Sequence, residues 1–185
     1  MRILGLDLSL RSTGYVLLDE DDVAWYGVVG SDTLRESERL AMFDRWIREQ
    51  LRDKRFTHVA VEGYSYGTPQ GHTHAFGIGE LGGVMKLAIH QAGIPMQVIA
   101  PGTWKKVLCG NGSLSKKNSA VELYKRYAIE FHSQDTLDAW AVAMCRRRQL
   151  LGLDKPEPKT RKRRPAPDGK SDPLPLLETV SAGHE

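Results

Sequence analysis

The sequence predicts an α/β fold with an antiparallel leading edge, and three observations carry that prediction. Three short strand patterns crowd into the first 29 residues. Strand-like and helical stretches then alternate, giving the order βββ-α-β-α-β-α-α, and acidic residues stand at the ends or edges of these elements.

Arg2–Leu8, Gly14–Leu18 and Val23–Val29 read as strands, joined by turn-like segments that hold Arg11-Ser12-Thr13 and the acidic run Asp19–Asp22, a spacing that predicts a meander. A helix is expected next: Thr33-x-x-Glu36 resembles a capping box, and Leu40, Phe43, Ile47 and Leu51 recur at helical spacing up to Asp53-Lys54-Arg55. His58–Glu62 is a short, mostly apolar strand that closes on a carboxylate. The polar, Gly-rich stretch from Gly63 to His74 is expected to be a mobile loop. Ala75 to Ala92 reads as a helix in which Gly79, Gly82 and Gly83 permit close backbone approach at some cost in helix propensity. Pro95–Ile99 restores a strand, Trp104 to Lys117 reads as a lysine-studded loop, Ser115 caps a helix to about Tyr127, and a last helix spans Gln134 to Gln149.

With 185 residues and 41% hydrophobic content, the chain has room for one domain with a core, expected over 1–153. Beyond it, 154–185 reads as a basic tail: six of the nine prolines lie there, interleaved with Arg161-Lys162-Arg163-Arg164, and large apolar residues become few, a composition that favours disorder. No apolar stretch approaches the roughly 20 residues of a membrane span, and Met1 leads straight into a strand pattern, so the expected compartment is the cytoplasm. Cys109 and Cys145 match no metal-ligand spacing and read as packing residues. The net charge of +3 hides an asymmetry. Residues 1–100 carry 10 basic and 13 acidic side chains, whereas residues 101–170 carry 16 and 7, a bias that suits a polyanion such as nucleic acid when a site accompanies it.

Acidic positions supply a candidate site. Asp7 interrupts the apolar run Ile3-Leu4-Gly5-Leu6, where a carboxylate is costly unless paired or metal-bound, and Glu62 raises the same question after Val59-Ala60-Val61. Asp135 and Asp138 stand at i and i+3 at the start of the last helix, on one face, with Cβ atoms roughly 5–6 Å apart. Taken alone, that pair is better accounted for by helix capping; a divalent cation, together with the positive end of the helix dipole, would also offset its repulsion.

The segment Gly5-Leu6-Asp7-Leu8-Ser9-Leu10-Arg11-Ser12-Thr13-Gly14-Tyr15 resembles the first strand and turn of the RuvC Holliday-junction resolvases, within the RNase H-like superfamily. The resemblance runs on, in order, through Val59–Glu62, Gly77-Ile78-Gly79-Glu80-Leu81-Gly82-Gly83, Trp104–Gly110 and Asp135-Thr136-Leu137-Asp138-Ala139-Trp140-Ala141, covering about residues 1–150. It implies an RNase H-like mixed sheet of five strands, three antiparallel leading strands and two parallel ones, flanked by helices. It also implies that Asp7, Glu62, Asp135 and Asp138 hold two magnesium ions, for which manganese can substitute. One metal would activate a water and the other would stabilise the leaving 3′ oxygen during phosphodiester hydrolysis.

By the same resemblance Lys105 and Lys106, and Lys116 or Lys117, contact phosphates, as do Arg11 and Ser12 after the first strand. Tyr64 and Tyr66 follow Glu62 where such resolvases stack an aromatic ring on unpaired bases. The implied partner is branched DNA, above all a four-way junction cut symmetrically by a homodimer. Leu8, where a proline is usual, and the long basic tail point to a divergent, phage-type member. Two other readings stand beside this one. Sugar-kinase and actin-like ATPases share a Gly-x-Asp-x-Ser and Ser-Thr-Gly hairpin but need two such domains, and an RNA-processing nuclease can share the fold.

Overall fold

The computed structural model describes residues 1–63 and 72–155. The loop expected over most of Gly63–His74, with Tyr64 and Tyr66, and nearly all of the expected tail, with Arg161–Arg164, lie outside the described residues. Five strands, β1 (Arg2–Asp7), β2 (Thr13–Asp19), β3 (Asp22–Val29), β4 (His58–Glu62) and β5 (Met96–Ile99), form one sheet in the order β3-β2-β1-β4-β5. β1 pairs antiparallel with β2, and β2 with β3; β4 and β5 add in parallel. This is the mixed five-stranded sheet that the RNase H-like resemblance implies.

Burial follows the strands' positions in the sheet. The central β1 buries four consecutive residues, Ile3 to Leu6, because helices cover both faces, whereas β3 at the edge alternates half-buried and exposed. On one face lie α1 (Glu36–Lys54) and α2 (His72–Gln91), which close a core of Leu4, Leu6, Leu17, Phe43, Ile47, Val59, Val61, Leu81, Met85 and Ile89. Each such fully buried large side chain contributes about 1.5–3 kcal/mol of transfer free energy. The other face carries α5 (Gln134–Leu150), backed by α3 (Pro101–Cys109) and α4 (Lys116–Tyr127), over Ile3, Val16, Leu18, Ala60 and Ile99. α5 is buried without interruption from Thr136 to Cys145, since sheet and helices enclose it.

Several boundaries differ from the sequence expectation. The capping box lies two residues later than Thr33-x-x-Glu36: α1 begins at Glu36 with Arg35 as N-cap, Glu38 accepts from the Arg35 backbone N–H at 3.0 Å, and Ser31 takes the N–H groups of Thr33 and Leu34. Residues 104–109 of the loop expected from Trp104 to Lys117 belong to the helix α3, and five helices stand among the described residues where the sequence predicts four. Pro101 opens it, Trp104 and Leu108 bury one side at i and i+4, and Gly110 closes it at φ 80°, its N–H bonded to the Lys106 carbonyl. The lysines mark the solvent side of a helix, not a loop. Ser115 caps α4 as expected, accepting from the Asn118 N–H at 3.3 Å. Of the α2 glycines expected to allow close approach, Gly82 is buried, whereas a Cβ at Gly79 or Gly83 would meet no described residue within 4 Å.

Candidate active site

Strand alternation sets the site. Gly5 and Ala60 face α5, so Asp7 and Glu62, two residues further along β1 and β4, point to the same side. The two strands are parallel, with Leu6 beside Val61, and they end together, so both carboxylates emerge at one sheet edge. α5 supplies the third. It lies so close to the sheet that a Cβ at Gly5 would stand 2.0 Å from the Ala139 carbonyl oxygen, and one at Gly14 would stand 2.1 Å from that of Asp135. These two glycines lower the helix onto the strands and bring Asp138, only 1% exposed, over the strand ends. The turn between β1 and β2 is closed by the buried Thr13 hydroxyl, which donates to the Ser9 carbonyl at 2.6 Å and accepts from the Ser9 N–H at 3.0 Å.

One oxygen from each of Asp7, Glu62 and Asp138 lies within 4.8 Å of the others. Asp135, one turn earlier on α5, stands outside that group, but its charge is felt at Asp7. Burial, reinforced by the charges and hydrogen bond of Glu62 and by Asp138 and Asp135, pushes the Asp7 carboxyl up to about 9. Glu62 is raised as well, chiefly by burial, against the hydrogen bond it accepts from the Trp104 indole Nε1–H at 2.8 Å. Asp138 is raised by burial, against the Lys116 ammonium at 3.3 Å and the Gln134 side-chain amide, which donates to it at 2.9 Å. Burial alone would depress Lys116, but its attraction to Asp138, Asp7 and Glu62 outweighs that and holds it above the usual range. Three crowded carboxylates with one close ammonium are short of positive charge. An all-oxygen donor set of this kind suits a hard divalent cation.

A family model described as crossover junction endodeoxyribonuclease RuvC matches residues 3–146. The chain belongs to this RuvC family. Its matched span reaches from β1 through most of α5 and so contains all four acids singled out in the sequence. The RuvC of Myxococcus xanthus is 31% identical over 154 residues, covering 78% of this chain and 79% of that protein. Among solved structures, Thermus thermophilus RuvC matches with a TM-score of 0.71 at 21% identity, covering 83% of this chain and 98% of that one. The same protein in complex with Holliday junction substrate matches with a TM-score of 0.70 at 22% identity, covering 83% and 97%. At that identity the likeness speaks for the fold, which it shares with this RuvC-family chain.

The basic residues singled out in the sequence divide by position. Lys116 reaches the carboxylates, whereas Lys117 and Lys106 are exposed and face solvent. Lys105 is half-buried: its ammonium donates to the Leu114 carbonyl at 2.8 Å and lies 5.5 Å from the centre of the Trp104 ring, tying α3 to the turn before α4. Arg11 is exposed, 3.8 Å from Asp32, with Ser12 half-buried beside it. Sequence reasoning missed the roles of Gly5, Gly14, Gln134 and Trp104. The Gly-x-Asp and Thr-Gly spacings carried the signal for the glycines; nothing local announces a hydrogen bond that spans 42 residues.

Proposed function

We propose that this chain is a magnesium-dependent, structure-selective endonuclease that resolves four-way DNA junctions, and other branched DNA, by paired nicks. The observation that carries this reading is the convergence of Asp7, Glu62 and Asp138, from three separate elements, in a chain of the RuvC family. Asp7, Glu62 and Asp138 are the proposed metal ligands, with Asp135 as a further acid toward the same site. Two magnesium ions, or manganese in their place, would supply there an activated water and charge neutralisation at the leaving 3′ oxygen.

The chain's own groups do the rest. Lys116, about two-thirds exposed yet tethered to Asp138, can turn its ammonium to a phosphate oxygen and offset the negative charge that develops there. Lys106, Lys117, Arg11 and Ser12 are the proposed phosphate contacts, with Lys105 bracing the α3–α4 turn. Tyr64 and Tyr66, two and four residues past Glu62, provide stacking faces for unpaired bases. Binding to four-way DNA is supported by the solved complex of Thermus thermophilus RuvC with Holliday junction substrate.

A homodimer fits the near two-fold symmetry of a junction. On α2, Phe76 (77% exposed), Gly79, Gly83 and Leu87 (54% exposed) offer an apolar stripe, with space over Gly79 and Gly83 that no described residue fills. No helix among the described residues is long and apolar enough to cross a membrane, and action on DNA places the proposed work in the cytoplasm. The unit over 1–153 carries this activity, with 154–185 a basic extension that follows phosphates.

The test is a magnesium-dependent cleavage assay on four-way, three-way, flap, linear duplex and RNA–DNA substrates of equal length. Preferential, paired nicking of the four-way junction is expected. Cutting confined to RNA-containing strands would favour an RNA-processing nuclease.

A further inference from the structure

Trp104 is 1% exposed, within the core beneath α5, and its chemistry there is more than packing. An indole offers a single N–H donor and no acceptor, and a buried one requires a partner. Here the partner is the Glu62 carboxylate, at 2.8 Å, and not a main-chain carbonyl. The fold makes this approach unavoidable. Glu62 pairs with Ile99 in the sheet, Gly63 N–H bonds to the Ile99 carbonyl at 2.8 Å, and α3 starts at once with Pro101, so Trp104 in its first turn comes up beside the end of β4. Trp104 shares one buried cluster with Ile99, Leu108 and Trp140, while the Lys105 ammonium above its ring is itself anchored on the Leu114 carbonyl.

We infer that Trp104 is a positioning residue: its indole N–H fixes the rotamer of Glu62 by holding Oε1, so that the other carboxylate oxygen is presented to the divalent cation. The inference rests on the metal-site reading above. A glutamate has three side-chain torsions and, unheld, can turn away from Asp7 to relieve their mutual repulsion. An indole donor does not titrate, so Trp104 keeps its N–H at every pH at which the protein folds. Partners of metal ligands placed this way typically set metal affinity by about 10–100-fold.

The experiment is direct manganese binding to the whole chain, read from the electron paramagnetic resonance of free Mn2+, for the wild type, W104F, E62Q and the double variant. W104F is expected to weaken binding about tenfold, and to do so less than twofold in the E62Q background, because the donor then has no charged ligand left to orient. Equal weakening in both backgrounds would assign Trp104 to packing alone, and so would undiminished binding by W104F. Should phenylalanine fail to fill the space, site-specific replacement of Trp104 by its benzothiophene isostere keeps the shape and deletes only the N–H. That protein must show the same tenfold loss, and unchanged affinity overturns the inference. Wild-type protein that binds no Mn2+, or E62Q that binds it as tightly as the wild type, instead removes the metal-site reading, and this inference with it.

Discussion

Asp7 concentrates the conflict on which the site is built. Its folded pKa of about 9 lies far above the ordinary 3.8 because of burial, first, and then of Glu62 and its other acidic neighbours. Between those two values the folded chain holds a proton that the unfolded chain has lost, so in chelator its stability falls as pH rises through that window and levels off above it. Asp7→Asn has no such proton to hold. Urea melts in EDTA are therefore expected to show the variant more stable than the wild type, by a margin that widens from about pH 5 to about pH 8; a margin independent of pH would contradict the burial of this acid. Metal affinity runs the other way and rises with pH, since the ligands must shed protons to bind. At this scale the sequence was informative where a residue is out of place locally. A carboxylate in or at the end of an apolar strand is visible in one dimension, which singles out Asp7 and Glu62, whereas Asp138 on α5 stands out only through its i, i+3 spacing with Asp135 and the family resemblance. Trp104 and Gln134 could not be found, because each reads as an unremarkable member of a helix until its partner is known.

Among the elements, α5 decides whether three scattered acids become one site. Its backbone rests on Gly5 and Gly14, and a methyl group at Gly5 would meet both the Ala139 carbonyl at 2.0 Å and the Ala143 Cβ at 2.8 Å. Gly5→Ala must lift the helix. Overpacking of this kind costs about 1–3 kcal/mol, and a displacement near 1 Å at Asp138 lowers catalysis about 100-fold. Thermal melts and junction-cleavage rates measured together check this, and a variant with wild-type stability and rate would show that the close approach does not matter. The meander, the β4 strand and the last helix were legible from hydrophobic periodicity and turn chemistry. α3 was not, because its lysines hid the i, i+4 pair Trp104 and Leu108, and the start of α1 slipped by two residues because Ser31 and Glu38, rather than Thr33 and Glu36, organise that terminus.

For the whole molecule, the proposed dimer turns on α2, where Gly79 and Gly83 expose backbone between Phe76 and Leu87. Gly83→Arg places bulk and charge where the protomer has free space among the described residues, so it is expected to leave the protomer folded while sedimentation equilibrium shows a shift from dimer to monomer. A dimer of unchanged stability would move the interface elsewhere. Sequence pattern and charge reached the antiparallel leading strands, the alternation with helices and the basic second half, and the family resemblance implied the mixed five-stranded sheet; the strand order comes from the structure. Sequence reading did not reach the split among the lysines, with Lys116 at the carboxylates, Lys105 bracing a turn and Lys106 and Lys117 in solvent, which depends on how α3 and α4 stand against α5. The central claim joins these scales: buried carboxylates on β1, β4 and α5 cut branched DNA, while separate basic groups hold it. The most direct measurement compares wild type and Asp7→Asn on one end-labelled four-way junction, with binding followed by mobility shift and cleavage started by Mg2+. Metal ions contribute several kcal/mol at the transition state, so the variant should bind the junction about as tightly and cut it slower by about three orders of magnitude or more; undiminished cutting by Asp7→Asn would contradict the account.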